Sequence, residues 1–353
     1  MMYSHALCDG STFIFTTPAK LTVFLPFPMG ALAPNPTAGF IRVESTAPLN
    51  VRGLRVRFSG QAHVRWTTGS GKHRHTHDAK QDLIVGPYAA LFGAGEECPG
   101  ADYMLLPGVR DFPFTLPLVP ASGLPSTCAL SAGRVRYAVD AWLDVRGHPD
   151  LQASAELSLV LPAPPPPPLA ALPMPQRAIV PLHTFWCCGD AGVARLTVAL
   201  PPGGHVLPAA PRGVQQPLPF FAGVGVAPAK PMPSLPEGSQ RAGVALVRRV
   251  VCRAGAHTHA TEEKVGFCVG EDVAVALLGG EAAASTEKEG GAWDGAMALQ
   301  AVQCIMEDLD VPSFSCSVME VSYALRLHLA WPWTTGPTVE VPLWVGEPLF
   351  AKI

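Results

Sequence analysis

No apolar run in the chain approaches the roughly 20 residues that a membrane-spanning helix needs, so membrane association is expected to be peripheral at most. Charge is scarce and balanced: Asp, Glu, Lys and Arg make up 15% of the residues and the formal net charge is −3. There is no basic excess to attract nucleic acid, and none is expected as a partner. The N-terminus, "MMYSHALCDGSTF", lacks the basic-then-apolar layout of a secretory signal. The nine cysteines are odd in number and scattered, so a reduced, cytoplasmic protein is the expectation. Cys187 and Cys188 are adjacent rather than spaced as C-x-x-C, and no second pair lies at zinc spacing. "GSGKH" lacks the Ser or Thr that follows the lysine of a phosphate loop, and "GVGVAP" lacks the third glycine of a dinucleotide turn. No G-x-S-x-G elbow and no carboxylate dyad is present. The chain therefore reads as a non-enzyme with no catalytic residues and no cofactor.

Proline (38) and glycine (34) are plentiful and amount to about a fifth of the chain, a composition suited to many short strands joined by turns. With 48% hydrophobic residues, 353 residues are enough for two cores at roughly 150 residues per domain.

The dominant pattern has a period of two. In Val51–Trp66, Leu54, Val56, Phe58, Ala62, Val64 and Trp66 share one parity, while Arg55, Arg57, Gln61, His63 and Arg65 share the other. Gly133–Val145 does the same, with Val135, Tyr137, Val139, Ala141, Leu143 and Val145 against Arg134, Arg136, Asp140 and Asp144. Leu151–Leu161, Val321–Trp331 and Val339–Gly346 repeat it. Such alternation predicts strands with one face in a core and one in water. No long stretch has a 3.6-residue period with caps; only "PYAALFG" (Pro87–Gly93) reads as one helical turn. The fold class is all-β, antiparallel and sandwich-like.

"LPAPPPPPLAALPMP" (Leu161–Pro175) cannot join a sheet, because proline lacks the ladder donor. It predicts a boundary: one domain over 1–161, a proline-rich linker over 162–175 and a second domain over 176–353. Pro164–Pro168 also suits an SH3 or WW groove, but a semi-rigid spacer explains it equally well and is the favoured reading. The halves echo each other: "LPSTCALSAGRVRYAV" in the first and "VPSFSCSVMEVSYAL" in the second suggest two similar sandwiches in tandem. Residues 201–243 show little periodicity and read as long loops or partly disordered chain, and Gly279–Gly291 reads as a mobile, charged loop.

Three polar or reactive groups stand out. His73, His75 and His77 alternate beside Asp78; on an extended backbone they share a face, a set suited to zinc or copper. A solvated hairpin turn accounts for them more simply, "TTGSG" preceding them, and no metal is expected. Cys128, Cys268 and Cys316 sit in or beside strand patterns and read as small buried hydrophobes. Arg55, Arg57 and Arg65 form a basic stripe that suits an acidic or phosphorylated peptide, although half-exposed strands ordinarily carry such residues.

The ordered landmarks resemble the arrestin family, specifically the arrestin-domain-containing (α-arrestin) proteins. In the first half they are "GQAHVRW" (Gly60–Trp66), "LFG" (Leu91–Gly93), "GVRDFPFTLPL" (Gly108–Leu118), "LPST" (Leu124–Thr127) and "GRVRYAV" (Gly133–Val139). In the second half they are "VSYAL" (Val321–Leu325) and "VPLWVG" (Val341–Gly346). The resemblance implies two tandem immunoglobulin-like β-sandwiches, with "FPFTLPLVP" as an edge-type strand and crossing segment ahead of the core strand opened by Gly133. It further implies a cytoplasmic adaptor in membrane-protein trafficking, recruited to the plasma membrane or endosomes, that binds cytoplasmic tails of receptors or transporters. Endocytosis, endosomal sorting and ubiquitination are the processes it implies. Relatives of this kind recruit ubiquitin ligases through Pro-Pro-x-Tyr motifs; this sequence has none. That favours, as the alternative, a structural subunit of a sorting coat resembling the arrestin-fold subunit of retromer.

Overall fold

Period-two alternation builds the longest strands of the first unit. The computed structural model describes residues 3–6, 12–15, 19–26, 37–93, 102–117, 124–159, 175–184, 189–201, 204–210, 213–230, 234–269, 273–278, 299–307, 309–331 and 336–348. These fall into two compact units, Met1–Leu161 and Pro162–Ile353. Pro164–Pro168, Cys187, Cys188 and Gly279–Gly291 lie outside the described residues.

The first unit begins with a hairpin of β1 (Tyr3–Ala6) and β2 (Thr12–Phe15). Strands β3 (Ala19–Phe24), β4 (Thr37–Ser45) and β9 (Gly108–Leu116) make one sheet in that order. The larger sheet contains β5 (Leu49–Thr68), β6 (His75–Val85), β7 (Ala89–Gly93), β8 (Tyr103–Leu105), β10 (Cys128–Leu130), β11 (Gly133–Val145) and β12 (Leu151–Leu157). Its spine is β10-β11-β5-β6; β12 pairs with β11, and both β7 and β8 pair with β5. The apolar parities of β5 and β11 are buried, and every pairing is antiparallel. Residues 89–93, expected as a helical turn, are instead strand β7. Five residues carry no period that separates the two forms, and pairing of Val56 through Gly53 with Ala89 through Gly93 decides it. Pro113 sits in β9, which among the described residues pairs only with β4. An edge strand tolerates the missing donor.

The second unit contains β13 (Gln176–Thr184), β14 (Gly189–Ala199), β15 (Val206–Ala209), β16 (Gln216–Pro228), β17 (Arg241–Ala254) and β18 (His257–Val269). Then follow β19 (Val273–Leu277), β20 (Gln300–Met306), β21 (Phe314–Ser315), β22 (Met319–Leu329) and β23 (Thr338–Pro348). The ribbon runs β13-β14-β16-β20-β18-β17-β22-β23-β15 and folds back, so that β13 and β14 pack on β23. Pairing is antiparallel except for β15 with β23 and β16 with β19. The expectation of loops through 201–243 fails here. Strand β16 is thirteen residues long, pairing through its first half with β20 and through its second with β14. Pro217 and Pro219 take exposed positions, while Ala222 through Ala227 are buried on both faces. Proline and the lost alternation hide the strand in the sequence.

The sequence echo between the halves is an identity of register. When Tyr137 is laid on Tyr323, the pair Cys128–Val135 falls on Phe314–Val321, and Tyr137–Leu157 falls on Tyr323–Leu343. Each buried tyrosine donates its hydroxyl at 2.6 Å to a backbone carbonyl twelve residues upstream, Pro125 in one unit and Val311 in the other. The bond pins the incoming segment against the core strand and satisfies a buried hydroxyl. In the first unit Tyr137 also stacks on Phe58, with centroids 5.8 Å apart. Its ring lies over Gly60, directly opposite it in register.

On the polar parity of the second unit, four strands carry a charge ladder. Glu262 of β18 accepts from Arg249 of β17 at 2.6 Å and from Arg326 of β22 at 2.8 Å; Glu340 of β23 accepts from Arg326 at 2.8 Å. These hydrogen bonds from two arginines hold the Glu262 carboxyl below its ordinary range.

Candidate functional site

The predicted arginine stripe lies on the polar face of β5, where neighbouring strands meet its three members differently. Arg65 is exposed, 3.9 Å from Asp78, which also lies 3.2 Å from His63 Nε2. The His63 hydrogen bond holds the Asp78 carboxyl below its usual range. Arg55 reaches Asp150 at 3.3 Å. Burial pushes that carboxyl up, Asp144 adds to the rise and Arg55 opposes it.

Arg57 has a different environment. Its guanidinium carbon lies 4.7 Å from the centre of the Trp142 ring and 5.0 Å from that of Tyr88. Nη1 donates to Tyr88 Oη at 3.0 Å. The two rings meet edge to face at 5.3 Å, and Arg55 stands 5.3 Å over the same Tyr88 ring. The residue opposite Arg57 in register is Asp140, but Asp140 accepts from Ser59 at 2.6 Å. Among the described residues no carboxylate lies within ion-pair distance of Arg57, and its Nε is buried without an acceptor. A cation held between two aromatic faces is fixed in place and only partly neutralised. Such a group can donate an N–H still open to solvent to a carboxylate or phosphate oxygen.

Tyr88 and Trp142 were not singled out by the sequence pattern. A signal existed: Trp142 is an aromatic residue on the polar parity of β11, between Asp140 and Asp144. Tyr88 carries none, since it stands between β6 and β7.

His75 and His77, two apart in β6, share a face, but His73 does not join them. His73 closes a short 3-10 turn, Gly71–His73, and the strand begins only at His75. His77 stacks on Trp66 at 5.0 Å, and its Nε2 lies 2.9 Å from Thr68 Oγ1. Glycines at positive φ, Gly69 and Gly71, make the turn. Among the described residues no group of three or more His, Cys, Asp or Glu side chains gathers as a metal site.

Of the cysteines, Cys128, Cys252 and Cys304 are buried and Cys316 is half-buried. Cys268 lies in β18, with its side chain outside the described residues. No described helix is long and apolar enough to cross a membrane.

No curated protein matches the chain. Residues 32–163, which contain β4 through β12 and all five first-half landmarks, match the family model of the arrestin (or S-antigen) N-terminal domain.

Proposed function

We propose that the protein is a non-enzymatic adaptor in membrane-protein trafficking, and that it docks acidic or phosphorylated cytoplasmic tails of receptors or transporters on the polar face of β5. The match of residues 32–163 to an arrestin N-terminal domain carries the adaptor reading. The Arg57 cage supports the position of the dock, because it presents a cation held between Tyr88 and Trp142 with no carboxylate at ion-pair distance among the described residues. Within that role the protein acts in the cytoplasm and is recruited to the plasma membrane or endosomes. There it serves endocytosis, endosomal sorting or ubiquitination of its cargo. Any ubiquitin-ligase contact is made without a Pro-Pro-x-Tyr motif in this sequence.

Two measurements test this. Fluorescence anisotropy of the full chain with labelled acidic and phosphorylated tail peptides should give saturable binding. Arg57→Ala should weaken it about tenfold or more, since a hydrogen bond to a charged group contributes about 1.5–3 kcal/mol. Equal binding by the wild type and the variant would move the dock elsewhere. Proximity labelling with the full chain as bait should recover membrane proteins together with sorting or ligase components. Recovery of one fixed set of soluble coat proteins, co-eluting at constant stoichiometry, would instead assign the structural-subunit role.

A further inference from the structure

Cys268 and Cys304 are directly opposed in the antiparallel pairing of β18 with β20. The kind of opposition follows from the ladder. Glu307 N donates to Val265 O at 2.8 Å, so the carbonyl of Val265, the bulge residue of β18 against β17, faces β20, and the regular register with β20 starts at Gly266. Hydrogen-bonded and non-hydrogen-bonded pairs alternate along an antiparallel ladder. Gly266–Met306 is therefore non-bonded, Phe267–Ile305 bonded and Cys268–Cys304 non-bonded. A Cβ built on Gly266 would come within 3.4 Å of Met306 Cα, the close approach expected of a non-bonded pair. Such pairs hold their Cα atoms about 4.5 Å apart, inside the ~4.4–6.8 Å window of a disulfide.

Access and selectivity point the same way. Cys304 is buried, but Cys268 is the penultimate residue of β18, and the pairing of β18 with β17 stops at Phe267. A strand end held from one side opens locally more readily than a strand centre. Cys252 and Cys316 offer no competing pair. They flank Met319 from opposite sides, two strand spacings or roughly 9–10 Å apart, which exceeds disulfide reach.

We propose that Cys268 and Cys304 are an oxidation site that closes into a cross-strand disulfide. A hydroperoxide supplies the oxidising equivalents. One thiolate attacks the peroxide, giving a sulfenic acid and releasing alcohol, or water from hydrogen peroxide. The second thiolate attacks the sulfenic sulfur; the S–S bond forms, and hydroxide leaves and is protonated to water. Two thiols and one hydroperoxide become one disulfide, one alcohol and one water. The bond ties β18 to β20 and closes the loop formed by residues 269–303.

The test treats the full folded chain with hydrogen peroxide, blocks remaining thiols under denaturing conditions and maps tryptic peptides without reduction. Cleavage after Lys264, Lys288 and Arg326 places Cys268 in residues 265–288 and Cys304 in residues 289–326. The expected product is these two peptides joined, lighter than their sum by about 2 mass units for the two hydrogens lost, and separated by reduction. Since residues 289–326 also contain Cys316, the map is repeated on Cys316→Ser, where the link should persist. It should vanish in Cys268→Ser. Recovery of both thiols in blocked form after peroxide would overturn the proposal. So would a link that disappears with Cys316.

Discussion

Replacing Gly60 with alanine tests whether the tyrosine of the first core is as tightly held as its contacts imply. A Cβ at residue 60 would fall against Tyr137 Cε1, 2.5 Å from Cδ1 and 2.8 Å from Ile84 Cγ2. The ring has little freedom to retreat. It is fully buried, lies against Phe58 and is tethered through its hydroxyl to the Pro125 carbonyl. Overpacking of this kind costs about 1–3 kcal/mol. Dragging the ring off its acceptor leaves a buried carbonyl unmet, at about 1–3 kcal/mol more. Loss of the glycine's conformational entropy offsets roughly 0.5–1 kcal/mol. The net expectation is a loss of about 1–5 kcal/mol. Urea unfolding with linear extrapolation, read beside hydrogen exchange in β5 and β11, measures it. Gly243→Ala, in β17 with no heavy atom within 4 Å of the new Cβ, serves as the control. Combining Gly60→Ala with Tyr137→Leu should cost less than the sum of the two single changes, because the pair is in contact. A loss below about 0.5 kcal/mol for Gly60→Ala, or strict additivity in the double variant, would refute the reasoning.

Tyr137→Phe and Tyr323→Phe should each cost about 1–3 kcal/mol and raise exchange locally, the first around Pro125 and the second around Val311, since the two bonds are equivalent. The ladder around Glu262 should make the second unit acid-sensitive. Because the folded pKa of Glu262 lies below its ordinary 4.5, its contribution is fully present above that value and is lost as pH falls through the folded pKa. A pH series of unfolding midpoints should fall less steeply below pH 4.5 in Glu262→Gln; an unchanged slope would remove the ladder from the account. Arg57→Lys should recover little of the peptide binding lost in Arg57→Ala, because an ammonium has neither the planar stacking surface nor the fork of donors.

Much of the fold was legible because a half-buried strand writes its two faces directly into the chain. The apolar parities assigned to β5, β11, β22 and β23 are the buried ones. The tyrosine echo between the halves was legible too, and became an identity of register. Strand β16 was not. Prolines at its exposed positions and burial of both faces beyond Phe221 erase the signature on which the reading depends. The arginine stripe could be read from parity alone, whereas the difference among its three members could not.

By itself the sequence decided the all-β class, the core faces of the longest strands and the resemblance of the first half to arrestins, because each is a property of neighbours along the chain. Tertiary structure alone decided which arginine is caged, which histidines separate and which cysteines oppose each other. Arg57 meets Tyr88 and Trp142 only after three segments far apart in the chain are laid side by side. Cys268 meets Cys304 only through the register of β18 on β20. Such meetings depend on register, and a slip of one residue would turn every side chain to the opposite face.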